Sequence, residues 1–354
     1  MARMMLDNVD FLAALLHGCR SRMAEAERLD ALCRLRSLAE LAHEVFPDAE
    51  FVSATHFQRR LVQELVHESS KLLGHVAGAG AALLDWMRVR FQVENLKVLV
   101  RGLATRTRLE DLQGHLLELP HELALDAPAL ASAQSIEDFA SKVPGGPLRR
   151  SLEDGVALYR DQGRPFFYEA ALDRGYFREL LARAGALSGE DKDDVRPLIL
   201  QEAAIFHLLL VARGRFLYGL SPELLLPMHV TGGGIPRETF AAMLADPDLP
   251  TAAARAVGRA IDALPKTAHA SGAGSATLDP AALEALAWSR FRRLANRAFR
   301  RGHMTLGAVA GYVGLRRVEV ANLITLSEAI RTGVPSESIR ARMIPRHELE
   351  AAHV

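Results

Sequence analysis

Three consecutive glycines, Gly232–Gly233–Gly234, are the first residues whose type and spacing could do chemistry, because a glycine-rich loop can surround a phosphate group. A phosphate loop also needs a preceding strand and a lysine followed by serine or threonine. Here Ile235 and Pro236 follow, and the preceding residues have a helical pattern. We therefore interpret the glycines as a loop between helices.

The 13 histidines are the next candidates, as metal ligands or bases. None forms an HExxH pair: His67 is followed by Glu68, but position 71 is Lys71. No serine lies in a nucleophile elbow, and the carboxylates are dispersed. The sequence predicts no catalytic residue, no metal and no cofactor, and we interpret the histidines as surface or capping residues.

The two cysteines, Cys19 and Cys33, match neither zinc-site nor redox spacing, which favours two small buried side chains and a reducing compartment. No stretch approaches the roughly 20 apolar residues of a membrane span. We expect a soluble or peripheral protein.

The charge balance argues against a protein whose main role is to bind nucleic acid. The chain has 354 residues, with 43 basic and 43 acidic side chains, so its formal net charge is zero. A protein that mainly grips nucleic acid needs an excess of lysine and arginine. A net charge of zero does not exclude a protein that binds another protein.

The strongest local charge is the run Arg290–Arg301. On a helix, Arg290, Arg293, Arg297 and Arg300 fall on one face, with Phe291 and its apolar neighbours on the other. This face is either a docking surface for an acidic partner or membrane headgroups, or a solvated face balanced by nearby carboxylates.

The elements that position these residues are helices. Alanine, leucine, arginine and glutamate are abundant, and apolar residues recur at three- and four-residue steps, so the sequence predicts an all-α fold. Stretches at Pro120–Gln134 and Asp246–Pro280 have linker composition. They divide the chain into three predicted domains: 1–122, 123–236 and 237–354.

These three parts resemble one another. Each contains a helix, a short polar turn and the start of a second helix, in which Glu110, Glu223 and Glu337 occupy matching first-turn positions. An acidic side chain there is favoured by the helix dipole. A spacing near 113 residues predicts a repeated domain.

Three segments in this order resemble one family. They are VENLKVLVRG (Val93–Gly102), FFYEAALDRGYFRELL (Phe166–Leu181) and VEVANLITLSEAIRTGVPSESIRARMIP (Val318–Pro345). They are similar to motifs of the C subunits of V/A-type rotary ATPases, the family that includes the d subunits of the eukaryotic enzymes. The VTGGGI segment that contains the three glycines also resembles the family's second-domain ending.

The resemblance implies three similar helical domains arranged as a pseudo-threefold funnel. It implies a non-catalytic coupling protein that joins the central-stalk subunits to the membrane rotor-ring subunits on the cytoplasmic face, with no nucleotide bound. The alternative is a free-standing helical adaptor that docks an acidic partner through Arg290–Arg301.

Candidate interface residues follow from the motif positions and from the arginine face: Glu94, Asn95, Arg101, Arg213, Glu319, Asn322, Arg290, Arg293 and Arg297. Asn95 and Asn322 can instead bond a neighbouring helix end. Arg101 and Arg213 either face the funnel or pair with a carboxylate. Leu172, Asp173 and Tyr176 are expected to fix helix packing.

The second repeat leaves one alignment open. Matching Arg213 to Arg101 places His207 where Asn95 and Asn322 stand, whereas matching Gly219 to Gly333 places Leu208 there. One residue has been gained or lost, and the acidic residue expected ahead of this position is displaced to Glu202.

Overall fold

The computed structural model describes residues 2–257, 280–302 and 305–344. These residues are mostly helical and include no strand, so the predicted all-α class is confirmed. Cys33 is buried and Cys19 is half-buried, and neither is part of a disulfide.

The chain divides into two compact units. Unit 1 combines Met1–Ala54 with Ser188–Val354, and unit 2 is Thr55–Leu187. These limits follow packing between helices, whereas the predicted limits at 122/123 and 236/237 follow the sequence repeat. The three-domain division therefore stays a prediction.

Unit 1 begins with α1 (Ala2–Ser21), α2 (Ala26–Leu32) and α3 (Leu38–Val45). Ser37 caps α3 in a capping box, in which its side chain accepts from the N–H of Glu40 while the Glu40 side chain accepts from the N–H of Ser37.

Unit 2 is built around two long helices, α5 and α10. Its helices are α4 (Ala54–Leu73), α5 (Gly78–Thr105), α6 (Leu109–Leu112), α7 (Ala127–Ala131), α8 (Ile136–Lys142), α9 (Pro147–Tyr159) and α10 (Pro165–Gly185). Helix α10 packs against both α5 and α9. A Cβ on Gly155 of α9 would lie 2.6 Å from the Cβ of Ala171, so glycine is what lets α9 and α10 approach this closely.

The remainder of unit 1 contains α11 (Gly189–Leu210), α12 (Pro222–Leu225), α13 (Arg237–Ala245), α14 (Leu249–Val257), α15 (Pro280–Arg301), α16 (Leu306–Arg331) and α17 (Ser336–Arg342). Helix α15 packs against α11 and α16, and α16 also contacts α1 and α3. Helices α15 and α16 approach closely at Gly311, where a Cβ would lie 2.5 Å from the backbone nitrogen of Phe299.

Both predicted linkers contain a helix: α7 (Ala127–Ala131) lies within Pro120–Gln134, and α14 lies within Asp246–Pro280, so the linker prediction was wrong for these residues. Helix α14 forms because an alanine-rich run favours helix and Asp248 accepts a hydrogen bond from the N–H of Thr251 at 2.8 Å. The glycine- and serine-rich centre of Asp246–Pro280 lies outside the described residues.

One helix corrects the expectation about membrane spans. Among the described residues, Gly189–Leu217 is long and apolar enough to cross a membrane by length and composition. Of its most apolar window, 72% is buried inside the protein, as in the core helix of a water-soluble fold.

Candidate partner interface

A buried asparagine on α5 closes the first repeat. The side-chain oxygen of Asn95 accepts from the N–H of Leu117 at 2.8 Å, and its amide nitrogen donates to the Leu117 carbonyl at 2.9 Å. The two bonds hold the chain segment that follows α6 against α5. Asn95 thus bonds backbone just past a short helix, close to the predicted alternative of a neighbouring helix end.

The other two repeats contain the first of these bonds, a buried side chain that accepts from the backbone N–H of a residue 22 or 23 positions later, and we call this shared bond the clamp. Asn322 on α16 accepts from the N–H of Ile344 at 2.9 Å, 22 residues later, as in the pair of Asn95 and Leu117. His207 on α11 accepts through Nε2 from the N–H of Val230 at 2.9 Å, 23 residues later. His207, and not Leu208, is therefore the structural equivalent of the two asparagines.

The extra residue of the second repeat lies between His207 and Gly219. A left-handed residue ends each helix: Arg106 and Gly333 stand eleven residues after their asparagines, but Gly219 stands twelve after His207. The turns between them include a π-helix, Val211–Leu217. A π-helix accommodates one additional residue, so it explains why two sequence alignments compete.

The hydrogen bonds at the helix ends are also consistent with one inserted residue in the second repeat. The N–H of Thr107 donates to the Gly102 carbonyl, five residues back, at 2.9 Å. In the second repeat the N–H of Leu220 reaches six residues back, to the Gly214 carbonyl, also at 2.9 Å. These bonds satisfy carbonyls at the helix ends.

The predicted acidic first turns are confirmed. Glu110, Glu223 and Glu337 lie in the first turns of α6, α12 and α17. Backbone N–H donation at Glu223, followed by the hydrogen bond from Ser221, lowers the pKa of the Glu223 carboxyl.

A ladder of ion pairs joins α5 to α10. Asp173 accepts from Lys97 at 2.7 Å and from Arg90 at 2.8 Å. Arg101 forms a two-pronged bond with Glu169, at 2.6 and 2.7 Å. Of the two alternatives for Arg101, the structure shows pairing with a carboxylate.

Glu94 extends this ladder toward solvent, 2.5 Å from Arg90 and 3.4 Å from Lys97. Burial raises the pKa of the Glu94 carboxyl, but attraction to Arg90 and Lys97 outweighs burial and lowers the pKa to about 2. The carboxylate stays ionised, and 41% of the side chain remains exposed.

The sequence predicts that Leu172, Asp173 and Tyr176 fix helix packing, and the structure shows these contacts. Leu172 and Tyr176 are fully buried, and the Tyr176 carbonyl accepts from the indole nitrogen of Trp86 at 2.9 Å. Asp173 combines this role with the ion pairs above. Sequence reasoning missed Lys97, although its spacing from Glu94 and Arg90 along α5 places all three side chains close together.

Two acidic residues of unit 1, Glu319 and Glu202, are buried and each is bonded within the protein. Glu319 accepts from the N–H of Ala24 and from Arg316. Glu202, the displaced acidic residue, pairs with Arg317 at 2.7 Å. Glu319 is therefore a positioning residue within unit 1, and its side chain is 5% exposed.

Arg213 lies in the π-helix, where it is exposed and stands 3.6 Å from Glu284. Its neighbour Arg215 donates through Nε to the Leu244 carbonyl at 3.1 Å. Leu217 and Tyr218, at the end of the same segment, are among the exposed large apolar residues.

The arginine face has the predicted orientation. Arg290, Arg297 and Arg300 are exposed and Arg293 is half-exposed. Phe291, Ala295 and Ala298, on the opposite side of α15, are buried. Two arginines outside this face pair with carboxylates: Arg292 with Glu25 at 3.6 Å and Arg301 with Asp194 at 3.8 Å.

A second buried histidine, His229, lies beside His207 in the second repeat. The rings of His207 and His229 stack at 4.6 Å, and His229 Nε2 bonds the Ile235 carbonyl at 2.9 Å. The sequence predicts surface or capping histidines, and this prediction is wrong for His207 and His229, which are both buried. Across the described ranges, no group of three or more His, Cys, Asp or Glu could hold a metal ion.

The fold and its repeated clamp define a class: an all-α protein in which one helix–turn–helix element, closed by a buried side-chain clamp, occurs three times. Residues 12–342 match the family described as ATP synthase (C/AC39) subunit, and the chain belongs to this family. The resemblance drawn from the three motifs is thereby confirmed.

Relatives carry corresponding names. The chain is 24% identical over 189 residues to the C subunit of the V-type ATP synthase of Deinococcus radiodurans, covering 49% of this chain and 53% of that protein. It is 22% identical over 305 residues to the C subunit of the A-type ATP synthase of Methanosphaera stadtmanae, covering 84% and 76%. The protein of the same name from Methanobrevibacter smithii is 24% identical over 221 residues, covering 62% and 57%. The match thus spans little more than half the length of two of these relatives.

Proposed function

We propose that this protein is the non-catalytic coupling subunit of a V/A-type rotary ATPase, joining the central shaft of the soluble ATPase to the membrane rotor ring. It would transmit rotation during proton or sodium translocation. The observation that carries the proposal is the threefold recurrence of the clamp at Asn95, His207 and Asn322, together with membership of the ATP synthase (C/AC39) subunit family. The recurrence of the clamp supports three similar helical domains, the arrangement that a pseudo-threefold funnel would have.

A coupling protein must resist twisting, and the helix contacts support this role. The α5–α10 ladder fixes the rotation of one helix against the other, because Arg101 holds Glu169 at two points. The glycine-mediated approach of α15 and α16 leaves backbone against backbone at Gly311. Interiors packed this closely have low compressibility and transmit strain.

The candidate interface residues fall into two groups, those with buried side chains and those with exposed side chains. Asn95, Glu319 and Asn322 are buried, so we assign them to positioning. Glu94, Arg101, Arg213, Arg290, Arg293 and Arg297 retain exposed surface and are available to partners. The proposed partners are the central-stalk subunits and the rotor-ring subunits, on the cytoplasmic face of the membrane, with no nucleotide and no nucleic acid.

Assembly tests the proposal directly. Purified protein is mixed with the central-stalk subunits and, separately, with the detergent-solubilised rotor ring, and association is measured by pull-down. We expect association with both, and no ATP hydrolysis by the isolated chain. Failure to associate with either partner, or tight nucleotide binding by the isolated chain, would overturn the proposal.

A free-standing adaptor is the second candidate, favoured by the exposed arginine face on α15. It predicts capture of an acidic protein through Arg290–Arg301 without any component of a rotary ATPase. Co-purification of this chain with the ATPase subunits discriminates between the two functions.

A further inference from the structure

The end of the second repeat differs from the ends of the other two. We define the π tip as Arg213–Tyr218, which comprises the last five residues of the π-helix and Tyr218, the residue between that helix and Gly219. Its last two residues are Leu217, 69% exposed, and Tyr218, 49% exposed. The two side chains are neighbours in sequence and are both exposed, and contiguous exposed apolar surface is a feature of protein interaction sites.

The equivalent positions elsewhere are polar or small. Thr105 and Thr332 directly precede the left-handed residues of the first and third repeats, as Tyr218 does in the second. Both threonine hydroxyls donate back into their own helix, Thr105 to the Arg101 carbonyl at 2.9 Å and Thr332 to the Glu328 carbonyl at 2.8 Å. Two repeats therefore have at this position a threonine whose hydroxyl bonds its own helix, whereas the second has a half-exposed aromatic ring.

The charges of the π tip are both positive. Arg213 is 56% exposed, and its contact with Glu284, at 3.6 Å, is longer than the bonds that Arg101 makes with Glu169 at the equivalent position of the first repeat. The bond from Arg215 Nε to the Leu244 carbonyl holds that guanidinium beside Phe216. Tyrosine and arginine, with tryptophan, are enriched among the few residues that carry most of the binding energy at protein interfaces.

We propose that the π tip is the docking point for one protein partner within the rotary complex, through a segment that places aliphatic side chains on Leu217 and Tyr218 and a carboxylate toward Arg213 and Arg215. This inference rests on the proposed coupling function. Three similar repeats offer a partner three similar contact points, and a single shaft must be held in one orientation. A tip present only in the second repeat removes that ambiguity.

A site-specific photo-cross-linker tests the docking point in the assembled complex. The probe, a benzophenone amino acid, replaces Tyr218 or, as matched controls, Thr105 or Thr332. We expect the probe at position 218 to cross-link one other protein of the complex, identified by mass spectrometry, with a yield clearly above those of the two controls. No cross-link at 218, a cross-link to lipid, or equal yields to the same protein at all three positions would overturn the inference.

A variant that copies the first repeat supplies the second test. Leu217→Ala with Tyr218→Thr introduces the residues found at Ala104 and Thr105, so we expect roughly tenfold weaker binding to that partner with an unchanged melting temperature. Leu158→Ala, an exposed apolar side chain in unit 2, is the control and should bind like wild type.

The failures are distinguishable. If wild type binds and the double variant binds equally well, the docking inference is wrong while the coupling function stands. If wild type associates with no component of the complex, the coupling function and the inference both fall.

Discussion

His207 accepts a hydrogen bond from the backbone N–H of Val230, with 2.9 Å between Nε2 and the nitrogen. The bond requires an unprotonated Nε2, so the ring proton must reside on Nδ1, for which the described residues offer no partner. Burial, and to a smaller extent the stacked His229, lowers the pKa of His207 to about 3. The second repeat therefore has a titratable clamp where the others have an amide.

This difference predicts a pH dependence of stability. In the unfolded chain His207 binds a proton near pH 6.5, but in the folded chain only near pH 3, so between these values the unfolded state holds more protons. The free energy of unfolding of unit 1 should fall by about 1.4 kcal/mol for each pH unit below 6.5 on account of this residue. Denaturant titrations from about pH 7.5 to about pH 4.5, followed by Trp288 fluorescence, measure it.

His207→Asn is the matched control, because it installs the residue of the other two repeats. We expect the variant to keep the clamp. The slope of its free energy of unfolding against pH should be smaller than that of wild type by the contribution of about one proton. An unchanged slope would mean that another group is responsible.

We expect substitutions of Lys97 and Asp173 to have non-additive effects on the free energy of unfolding, because the two side chains form an ion pair within unit 2. Asp173→Asn replaces the carboxylate 2.7 Å from the nearly buried Lys97 ammonium by a neutral amide. Among the described residues Glu94, at 3.4 Å, is then the carboxylate still in contact with Lys97, so we expect a loss of about 3 kcal/mol in the free energy of unfolding. Adding Lys97→Met should restore part of that loss, because an apolar side chain needs no charged partner.

The coupling is measured by a double-mutant cycle, with Trp86 fluorescence reporting on unit 2. Arg108→Ala, which removes an exposed ion pair with Glu110, is the control and should change stability by less than about 0.5 kcal/mol. Strict additivity of the Lys97 and Asp173 variants would contradict the prediction.

Two helical glycines should respond in opposite directions. Gly311→Ala places a methyl group 2.5 Å from the Phe299 nitrogen and 2.6 Å from the Ala295 carbonyl oxygen, and neither backbone atom can move easily. We expect a loss of at least about 2 kcal/mol in the free energy of unfolding. Gly18→Ala on α1 meets no atom within 4 Å and should raise stability by about 0.5 kcal/mol or more. Thermal unfolding of both variants gives the comparison.

The arginine face should act in assembly and not in folding. Arg290 and Arg297 are exposed and make no ion pair with any residue of the described ranges. We expect Arg290→Glu with Arg297→Glu to weaken binding to the complex, most strongly at low salt, with the melting temperature unchanged. Binding measured at two ionic strengths tests this, with Arg108→Glu as the control; a large loss of melting temperature would make the face structural.

The amino-acid sequence by itself determined the local features. Periodicity and composition were enough for an all-α fold, and helix-start preferences placed Glu110, Glu223 and Glu337 in matching first turns. Helical geometry alone put Arg290, Arg293 and Arg297 on one face. These properties depend on neighbours within a turn or two of helix, which is the range over which sequence patterns act.

The tertiary structure decided what depends on residues far apart in the chain. Only packing showed that Arg101 pairs with Glu169 and that Glu319 is buried against Ala24. Only the clamp to Val230 chose His207 over Leu208, because an inserted residue leaves two sequence alignments equally good until the π-helix shows where it was absorbed. The physical reason is that a hydrogen bond between distant segments is specified by the geometry of the whole fold, which no local pattern contains.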